Sequence, residues 1–408
     1  MKAIFVLPRI DAKRFTGGIW CIFKKASALS EAGWDVELIP AYPSPRPEWF
    51  DLGGMAFRSE GRTSTTGMLC AMRKLGSSLL SYGIQRYGKE QLRTDLHEAI
   101  SRAMRFSHAG LSEQLLAAAS YDNLREIEFN ADIIFATSYE TAELVHLCGT
   151  GRKAYLCQHF EPYFAEERAS PALASLRARQ SYHLGLELVA NSSWLREELE
   201  GFSGQNVWFA PNGIDNSVFH PVSKRPEGSA FVVASYGGRQ ARWKGFKEMA
   251  EGMRLFKESS TFQVKWMVYG GAVLPPDNPI CSYQDCGYLD HVRLNELYNE
   301  ASCLLSASYY ESYPLFPLEA MACGLPVIAG KIGTEDYACD GENCLWVDPI
   351  EPAKIAEQLT KMASDPQLQA SLSKKGIETA ASQDWSSSNK RFIHVIESIL
   401  KTPKRTGA

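Results

Sequence analysis

Two glutamates, Glu311 and Glu319, lie eight positions apart in a segment that is otherwise apolar and rich in proline. Pro314 suits the first position of a helix, because its missing N–H would have no intrahelical acceptor there. Gly324 is typical of the residue that follows the end of a helix. The pattern predicts a loop carrying Glu311, a short helix carrying Glu319, and a buried strand over Pro326–Ala329.

The start of this predicted helix could bind an anion. The backbone amides of Leu315 and Phe316 would point out of the helix N-terminus, where unpaired N–H groups and the helix dipole attract phosphate. Beside such a phosphate, Glu311 could accept hydrogen bonds from sugar hydroxyls and Glu319 from a ribose diol. Taken alone, the two glutamates favour a plainer interpretation, an acidic loop and a helix with one exposed glutamate. The surrounding sequence therefore decides between the two.

A second group of candidates is basic. Gly238, Arg239 and Lys244 follow an apolar run over Ala230–Ala234 that is typical of a buried strand. Cations fixed beside a leaving phosphate stabilise the charge that develops on it. Arg239 and Lys244 are thus candidates for binding a diphosphate, and Gly238 of the same loop is a further candidate for binding the donor. The alternative is two surface bases flanking Trp243.

A histidine follows a predicted strand in the first half of the chain. His159 comes directly after the apolar run Ala154–Cys157 and Gln158. A neutral imidazole can donate or accept a hydrogen bond to a sugar hydroxyl and so help place a reacting carbon. A single histidine is more often structural, but ligands of doubly wound sheets bind at the carboxyl ends of strands.

Glycines at strand ends form a third group. Gly17 and Gly18 would let the backbone approach a donor phosphate or an acceptor, although a plain tight turn explains them equally well. Gly333 and Thr334 follow a predicted strand that ends near Gly330, and they could present backbone amides to a donor.

The elements that must position these residues form a repeated pattern. Ala3–Leu7 and Ala230–Ala234 are short apolar runs, each followed by two glycines and a helical pattern. A buried parallel strand, a glycine turn and a helix open a doubly wound domain, so we expect two Rossmann-like domains. Neither glycine pair belongs to a GxGxxG fingerprint, which argues against a dinucleotide cofactor. Further strands are predicted over 35–39, 132–136, 186–190 and 207–209. The stretch 41–65, rich in Pro, Gly, Ser and Thr, is predicted to be a loop.

The order of these motifs resembles the retaining glycosyltransferases of family 4, which have the two-domain GT-B fold. Glu311, Glu319 and the run Ala320–Val327 match the family's paired-glutamate signature, although Tyr313-Pro314 stands in place of its usual Phe-Gly. Other segments resemble family landmarks in the same order: Pro211–Asp215, Gly238–Gly245, Tyr269–Gly271, Gly287–Tyr288 and Gly333-Thr334.

The resemblance implies an α/β protein of GT-B fold, with two Rossmann-like doubly wound parallel-sheet domains facing a cleft. Residues 1–220 would form the acceptor domain, with a helical insertion at about 66–129, and residues 221–385 would form the nucleotide-sugar donor domain. A final helix at about 386–402 would cross back to the first domain. His159 would face the donor sugar, across the cleft from Glu311.

The implied function is retaining transfer of a hexose-type sugar from a nucleoside diphosphate sugar to a glycan or lipid-linked acceptor. The stretch Gln158–Phe164 also resembles a segment of bacterial rhamnosyltransferases that build surface glycans, which indicates a role in cell-surface polysaccharide synthesis. Two alternatives stay open at this stage. One is a non-catalytic GT-B protein that binds a glycan or a partner, and the other is a sugar-nucleotide epimerase.

Composition limits the partners and the location. The net charge of −4 provides no general attraction to nucleic acid. Ten cysteines without metal-ligand spacing indicate reduced thiols in a cytoplasmic protein. No Asp-x-Asp pair occurs, so we expect no metal and no cofactor beyond the donor substrate. No segment approaches the ~20 apolar residues of a membrane span, but basic residues of the insertion leave peripheral membrane contact open.

Overall fold

The computed structural model describes residues 1–42, 44–59, 129–147, 150–167, 171–222, 230–237, 241–261, 263–270 and 280–403. The predicted helical insertion lies almost wholly outside these residues, and Gly238 and Arg239 lie outside them too. The chain divides into two compact units. The first comprises Met1–Val189, Ser203–Val207 and Ile396–Ala408, and the second comprises Ala190–Phe202 and Trp208–Val395.

The first sheet has the strand order β3-β2-β1-β4-β5-β6-β7, with parallel pairing from β3 through to β5. Ala3–Leu7 is fully buried, as expected for a strand covered on both faces. The chain leaves β2 on one side of β1 and returns through β4 on the other, which creates a switch point at β1. Its strands are β1 (Lys2–Leu7), β2 (Asp35–Pro40), β3 (Ala56–Phe57), β4 (Asn130–Ala136), β5 (Thr150–Cys157), β6 (Glu187–Ala190) and β7 (Trp208–Phe209).

The second sheet repeats this arrangement. Its order is β10-β9-β8-β11-β12-β13 with parallel pairing throughout, so β8 and β11 lie on the two sides of its switch point. Its strands are β8 (Phe231–Tyr236), β9 (Val264–Tyr269), β10 (Gln284–Asp285), β11 (Cys303–Ser306), β12 (Val327–Gly330) and β13 (Leu345–Val347).

Helices cover both faces of the second sheet. Leu294 and Met321 belong to the hydrophobic core on one face, and Phe256 and Ile355 to the core on the other. The helices described in the chain are α1 (Gly17–Glu31), α2 (Tyr139–Leu147), α3 (Pro171–Ser181), α4 (Ser193–Ser203), α5 (Phe246–Ser259), α6 (His291–Glu300), α7 (Leu315–Ala322), α8 (Pro352–Ser364), α9 (Pro366–Ser382) and α10 (Trp385–Lys401).

The predicted strands are confirmed, and helices α1 and α5 follow β1 and β8 as expected. Gly238, the second glycine of the later opening, lies outside the described residues. One prediction was incomplete: the stretch 41–65, expected to be a loop, contains the short strand β3, which extends the sheet next to β2. Cysteines in the described ranges are free thiols. Over the same ranges, no helix combines the length and apolar character that crossing a membrane requires.

Candidate active site

Three loops of the second unit meet at the carboxyl edge of its sheet. Because β8, β11 and β12 are adjacent and parallel, the loops that follow them emerge side by side. Lys244 follows β8, Glu311 follows β11 and Gly333 follows β12. The sheet topology thus brings together candidates that are up to 89 positions apart in the sequence. This edge is where open α/β sheets bind their ligands.

Backbone hydrogen bonds hold the three loops together. The N–H of Tyr309 donates to the carbonyl oxygen of Trp243 at 2.8 Å, which joins the loops after β8 and β11. The N–H of Glu311 donates to the carbonyl oxygen of Ile332 at 3.2 Å, which joins the loops after β11 and β12. The backbone around Glu311 is therefore fixed from both sides.

Two glycines permit this close approach. Gly245 has a φ of 64°, and a Cβ atom there would lie 2.1 Å from the carbonyl oxygen of Ala307. Gly333 has a φ of 92°, and its Cβ atom would lie 2.3 Å from the carbonyl oxygen of Glu311. Side chains are strained at such φ values and have no space at these distances, so both positions require glycine.

Lys244 and Glu311 form an ion pair between the Nζ atom and Oε1. The side chains are only 15% and 10% exposed, respectively. The hydroxyl of Ser308 donates to the same Oε1 atom at 2.9 Å. Lys244 Nζ also lies 4.3 Å from the ring centroid of Trp243 and 5.6 Å from that of Tyr236. Rings and carboxylate together hold the ammonium group at the sheet edge, where it is well placed to meet an anion.

Helix α7 begins next to this pair. Pro314 is the N-cap of this helix and makes no side-chain capping hydrogen bond. The first helical residue is therefore Leu315, one position later than predicted. Leu315 and Phe316 form the start of the helix, and their amides belong to the turn that lacks intrahelical acceptors. Gly324 ends the helix as predicted: it has a φ of 67° and its N–H donates to the carbonyl of Met321 at 2.9 Å.

Glu319 lies inside α7 and is buried, with 6% of its surface exposed. Within the described part of the chain, its Oε2 atom has no hydrogen-bond partner. Burial raises the pKa of the Glu319 carboxyl to about 8, because the charged form loses its solvation. At neutral pH this group is therefore largely protonated, and it can donate one hydrogen bond as well as accept others.

The loop after β12 has its own internal hydrogen bonds. The N–H of Gly333, predicted to face a donor, donates to Oε2 of Glu335 at 2.6 Å. The hydroxyl of Thr334 donates to the carbonyl oxygens of Gly330 and Lys331, at 3.1 and 2.8 Å. A ligand that used these two groups would have to replace the bonds they already make.

The first unit brings its own candidates to one edge of its sheet. His159 follows β5, and its ring centroid lies 4.7 Å from that of Phe164. Gly17 and Gly18 open α1, and a Cβ atom on Gly18 would lie 3.8 Å from Gln158. Neither glycine has a positive φ, so the backbone does not need glycine there for a left-handed turn. Gly18 thus lies close to Gln158, the residue that precedes His159.

Sequence reasoning missed a group of hydrogen-bonded residues around Ser312, the residue that follows Glu311. The hydroxyl of Ser312 donates to Asn191 Oδ1 and lies 3.3 Å from the hydroxyl of Ser192. Asp336 Oδ2 accepts a hydrogen bond from the N–H of Ser193 at 2.8 Å. No spacing pattern in the sequence predicts this cluster, because its members come from loops more than a hundred residues apart. Only Ser312 could have been suspected from the sequence, since it directly follows Glu311.

Known proteins resemble this chain in sequence. Residues 219–379 match the family model of glycosyl transferases group 1. The chain is 27% identical over 282 residues to the O-antigen biosynthesis protein RfbC of Myxococcus xanthus, which covers 68% of this chain and 21% of that protein. It is 28% identical over 241 residues to a D-inositol 3-phosphate glycosyltransferase of Acidothermus cellulolyticus, covering 52% of each. The chain thus matches between a fifth and about half of the length of these relatives.

Solved structures identify the fold. Sucrose-phosphate synthase from Thermosynechococcus elongatus superposes with a TM-score of 0.71 at 16% identity, covering 98% of both chains. Anabaena Alr3699/HepE in complex with UDP-glucose gives 0.64 at 15% identity, covering 98% of this chain and 100% of that one. The fold is GT-B, and residues 219–379 match the glycosyl transferases of group 1. The resemblance to family 4 glycosyltransferases is confirmed.

Proposed function

We propose that this protein is a retaining glycosyltransferase that moves a hexose-type sugar from a nucleoside diphosphate sugar to a glycan or lipid-linked acceptor. The observation that carries the proposal is the Lys244–Glu311 pair beside the N-terminus of α7 at the switch point of the second sheet. A cation and helix amides at this edge would stabilise a nucleoside diphosphate as it leaves the donor sugar, and a carboxylate beside them would hold that sugar.

In this proposal Lys244 exchanges its contact with Glu311 for one with the donor diphosphate. The cation and the amides of Leu315 and Phe316 stabilise the negative charge that grows on the leaving phosphate. Glu311, released from Lys244, accepts hydrogen bonds from hydroxyls of the donor sugar and orients the ring. The protonated Glu319 carboxyl exchanges hydrogen bonds with the ribose diol of the nucleoside.

The sequence-based roles of the remaining candidates form part of the same proposal. Arg239 and Gly238 bind the diphosphate, and Gly333 and Thr334 contact the donor. His159 hydrogen-bonds the donor sugar, and Gly17 and Gly18 approach the phosphate or the acceptor. Residues 221–385 act as the donor domain and residues 1–220 as the acceptor domain. The proposed reaction uses no metal, because the sequence contains no Asp-x-Asp pair.

Names of similar proteins support the choice of substrates. One relative is named for O-antigen biosynthesis, which supports the proposal of a surface-polysaccharide acceptor. A structural neighbour was solved with UDP-glucose, so UDP-sugars are the first donors to test. The proposed location is the cytoplasm, where activated sugars are made, with acceptor access at the inner face of the membrane.

Turnover of a donor panel tests the proposal. We expect release of nucleoside diphosphate from one member of a panel of UDP-, GDP- and dTDP-sugars when a glycan or lipid-linked acceptor is supplied. The anomeric configuration of the transferred sugar, followed by NMR, should match that of the donor. Lys244→Ala should abolish release, and Lys247→Ala, which removes an exposed lysine of α5, should not.

Each alternative gives a different result in the same assay. An epimerase would change the sugar of the nucleotide without an acceptor. A non-catalytic binding protein would release no diphosphate from any donor, although it could bind the acceptor. Either result, or an inverted product, would overturn the proposal.

A further inference from the structure

The turn that carries His159 is held by a carboxylate two residues further on. Glu161 begins a 3-10 helix over Glu161–Glu167, directly after the turn. One carboxylate oxygen, Oε1, accepts a hydrogen bond from the hydroxyl of Tyr155 on β5. The other, Oε2, accepts one from the backbone N–H of Tyr139 at 3.0 Å, at the first residue of α2. Glu161 thus connects the ends of two neighbouring strands.

The backbone of the turn is held by a second tyrosine. The N–H of Glu161 donates to the hydroxyl oxygen of Tyr182 at 2.9 Å. That hydroxyl donates in turn to the carbonyl oxygen of His159 at 3.3 Å. Tyr182 lies directly after α3, is fully buried and stacks on the ring of Phe160 with centroids 5.6 Å apart. Its position is therefore fixed by packing, and it fixes His159 through the backbone.

The local electrostatics keep both phenols as donors. Burial, and then the charge of Glu161, raise the pKa of Tyr155 well above its usual value. Burial and the same charge also raise the pKa of Tyr182. Both hydroxyls therefore keep their protons throughout the physiological range, and the network around Glu161 stays intact. Every contact in it lies within the first unit.

We propose that Glu161 is a positioning residue, which acts on the transfer step by fixing the turn that presents His159. This inference rests on the proposed role of His159 at the donor sugar. Glu161 uses both carboxylate oxygens as acceptors for two fixed donors, the Tyr155 hydroxyl and the Tyr139 N–H. A glutamine has one acceptor oxygen and one NH₂ group. In Glu161→Gln the single oxygen can serve only one of the two donors, and the NH₂ group can bond the Tyr155 oxygen only if that hydroxyl turns its buried proton away. The network must therefore rearrange, and we expect the turn to shift.

A double-mutant cycle measures the effect. Displacement of a catalytic group by about 1 Å can cost on the order of a hundredfold in rate, so we expect Glu161→Gln to lower kcat by about tenfold to a hundredfold. Affinity for the bare nucleoside diphosphate should not change, because Lys244 and the helix amides of α7, which are proposed to stabilise its charge, lie in the second unit. In a His159→Ala background, Glu161→Gln should cause no further loss of kcat.

Two additional variants separate positioning from general stability. Glu197→Gln makes the same chemical change on an exposed side chain of α4 and should leave kcat unchanged. Tyr182→Phe removes the hydroxyl that bonds the carbonyl of His159 and should lower kcat in the same direction. Additive losses from Glu161→Gln and His159→Ala, or full activity in both Glu161→Gln and Tyr182→Phe, would overturn the inference.

A spectroscopic readout works even if no donor is found. The chain has eight histidines, so selective labelling gives a small set of imidazole signals, and His159→Ala assigns the one from His159. Glu161→Gln should shift that signal, whereas Glu197→Gln should not. An unmoved signal refutes positioning by Glu161. A moved signal in a protein without turnover would instead mean that the proposed function is wrong and the structural link is right.

Discussion

Neutralising Glu311 should strengthen nucleotide binding, although Glu311 is proposed to be essential for transfer. In the structure its carboxylate is paired with Lys244, the cation proposed to meet the diphosphate. Glu311→Gln removes the carboxylate charge that competes with the diphosphate for Lys244, and it also removes the repulsion between this carboxylate and a phosphate. Lys244→Ala removes the cation itself. The two variants should therefore change affinity for a bare nucleoside diphosphate in opposite directions.

The size of the effect follows from the burial of the pair. Two unit charges 4 Å apart interact by about 4 kcal/mol near a protein surface, whereas fully exposed pairs contribute about 0.2–1 kcal/mol. Lys244 and Glu311 are 15% and 10% exposed, between these limits. We expect Glu311→Gln to gain about 1–2 kcal/mol, or roughly 5- to 30-fold in affinity. Loss of a charged hydrogen bond in Lys244→Ala should cost about 1.5–3 kcal/mol.

Calorimetry with UDP, GDP and dTDP measures these changes directly. Lys247→Ala and Glu342→Gln are matched controls, because both remove the same kinds of charge from exposed positions of the second unit. They should leave the dissociation constant unchanged. If Glu311→Gln weakened binding as much as Lys244→Ala does, the pair would not be the diphosphate site, and the proposed exchange of partners would be refuted.

Three further predictions concern stability and pH. Gly333→Ala should lower the free energy of unfolding by about 1–3 kcal/mol more than Gly341→Ala does. Both substitutions strain a backbone with positive φ, but only the first places a Cβ atom 2.3 Å from the carbonyl oxygen of Glu311. Burial raises the pKa of Glu319 from 4.5 to about 8 in the folded protein, so its contribution to stability is full below pH 4.5 and is lost as pH rises through about 8. Between these two pH values the wild type should lose about 1.4 kcal/mol of unfolding free energy per pH unit relative to Glu319→Gln. Arg152→Ala should cost about 1.5–3 kcal/mol and speed hydrogen exchange at the end of α10, because its guanidinium donates to carbonyl groups there; Lys153→Ala is the control.

Chemical denaturation, at several pH values for Glu319→Gln, measures the first two of these predictions. Equal losses for Gly333→Ala and Gly341→Ala would show that the loops can separate to make room. Parallel stability curves for wild type and Glu319→Gln would show that Glu319 ionises normally. Unchanged exchange at residues 396–403 in Arg152→Ala would show that the end of α10 is held by other contacts.

The fold was predictable because its signals are local and repeated. Short apolar runs such as Ala3–Leu7 predict buried strands. Gly324 predicted the end of α7, because a helix often ends at a residue with positive φ and glycine adopts that conformation freely. The short strand β3 was missed because Ala56–Phe57 is too brief for any periodicity to appear. Pro314 was assigned one position too far into the helix, since proline is acceptable at either side of that boundary.

The candidate site was predictable only in part. Its charged members could be found, because motif order marked Lys244 and Glu311. Their pairing could not, since it depends on two loops that the sheet order brings together. The hydrogen bond that the carboxylate of Glu335 accepts from the N–H of Gly333 could not be predicted from the sequence either. The link from Glu161 to His159 runs through Tyr182, and no spacing rule connects a tyrosine after α3 to a turn after β5.

A crystal structure with bound nucleoside diphosphate tests the donor site most directly. The diphosphate should lie beside the N-terminus of α7, with Lys244 Nζ within hydrogen-bond distance of a phosphate oxygen and no longer paired with Glu311. The ribose should lie near Glu319. A diphosphate bound elsewhere, with the Lys244–Glu311 pair intact, would contradict the proposed site.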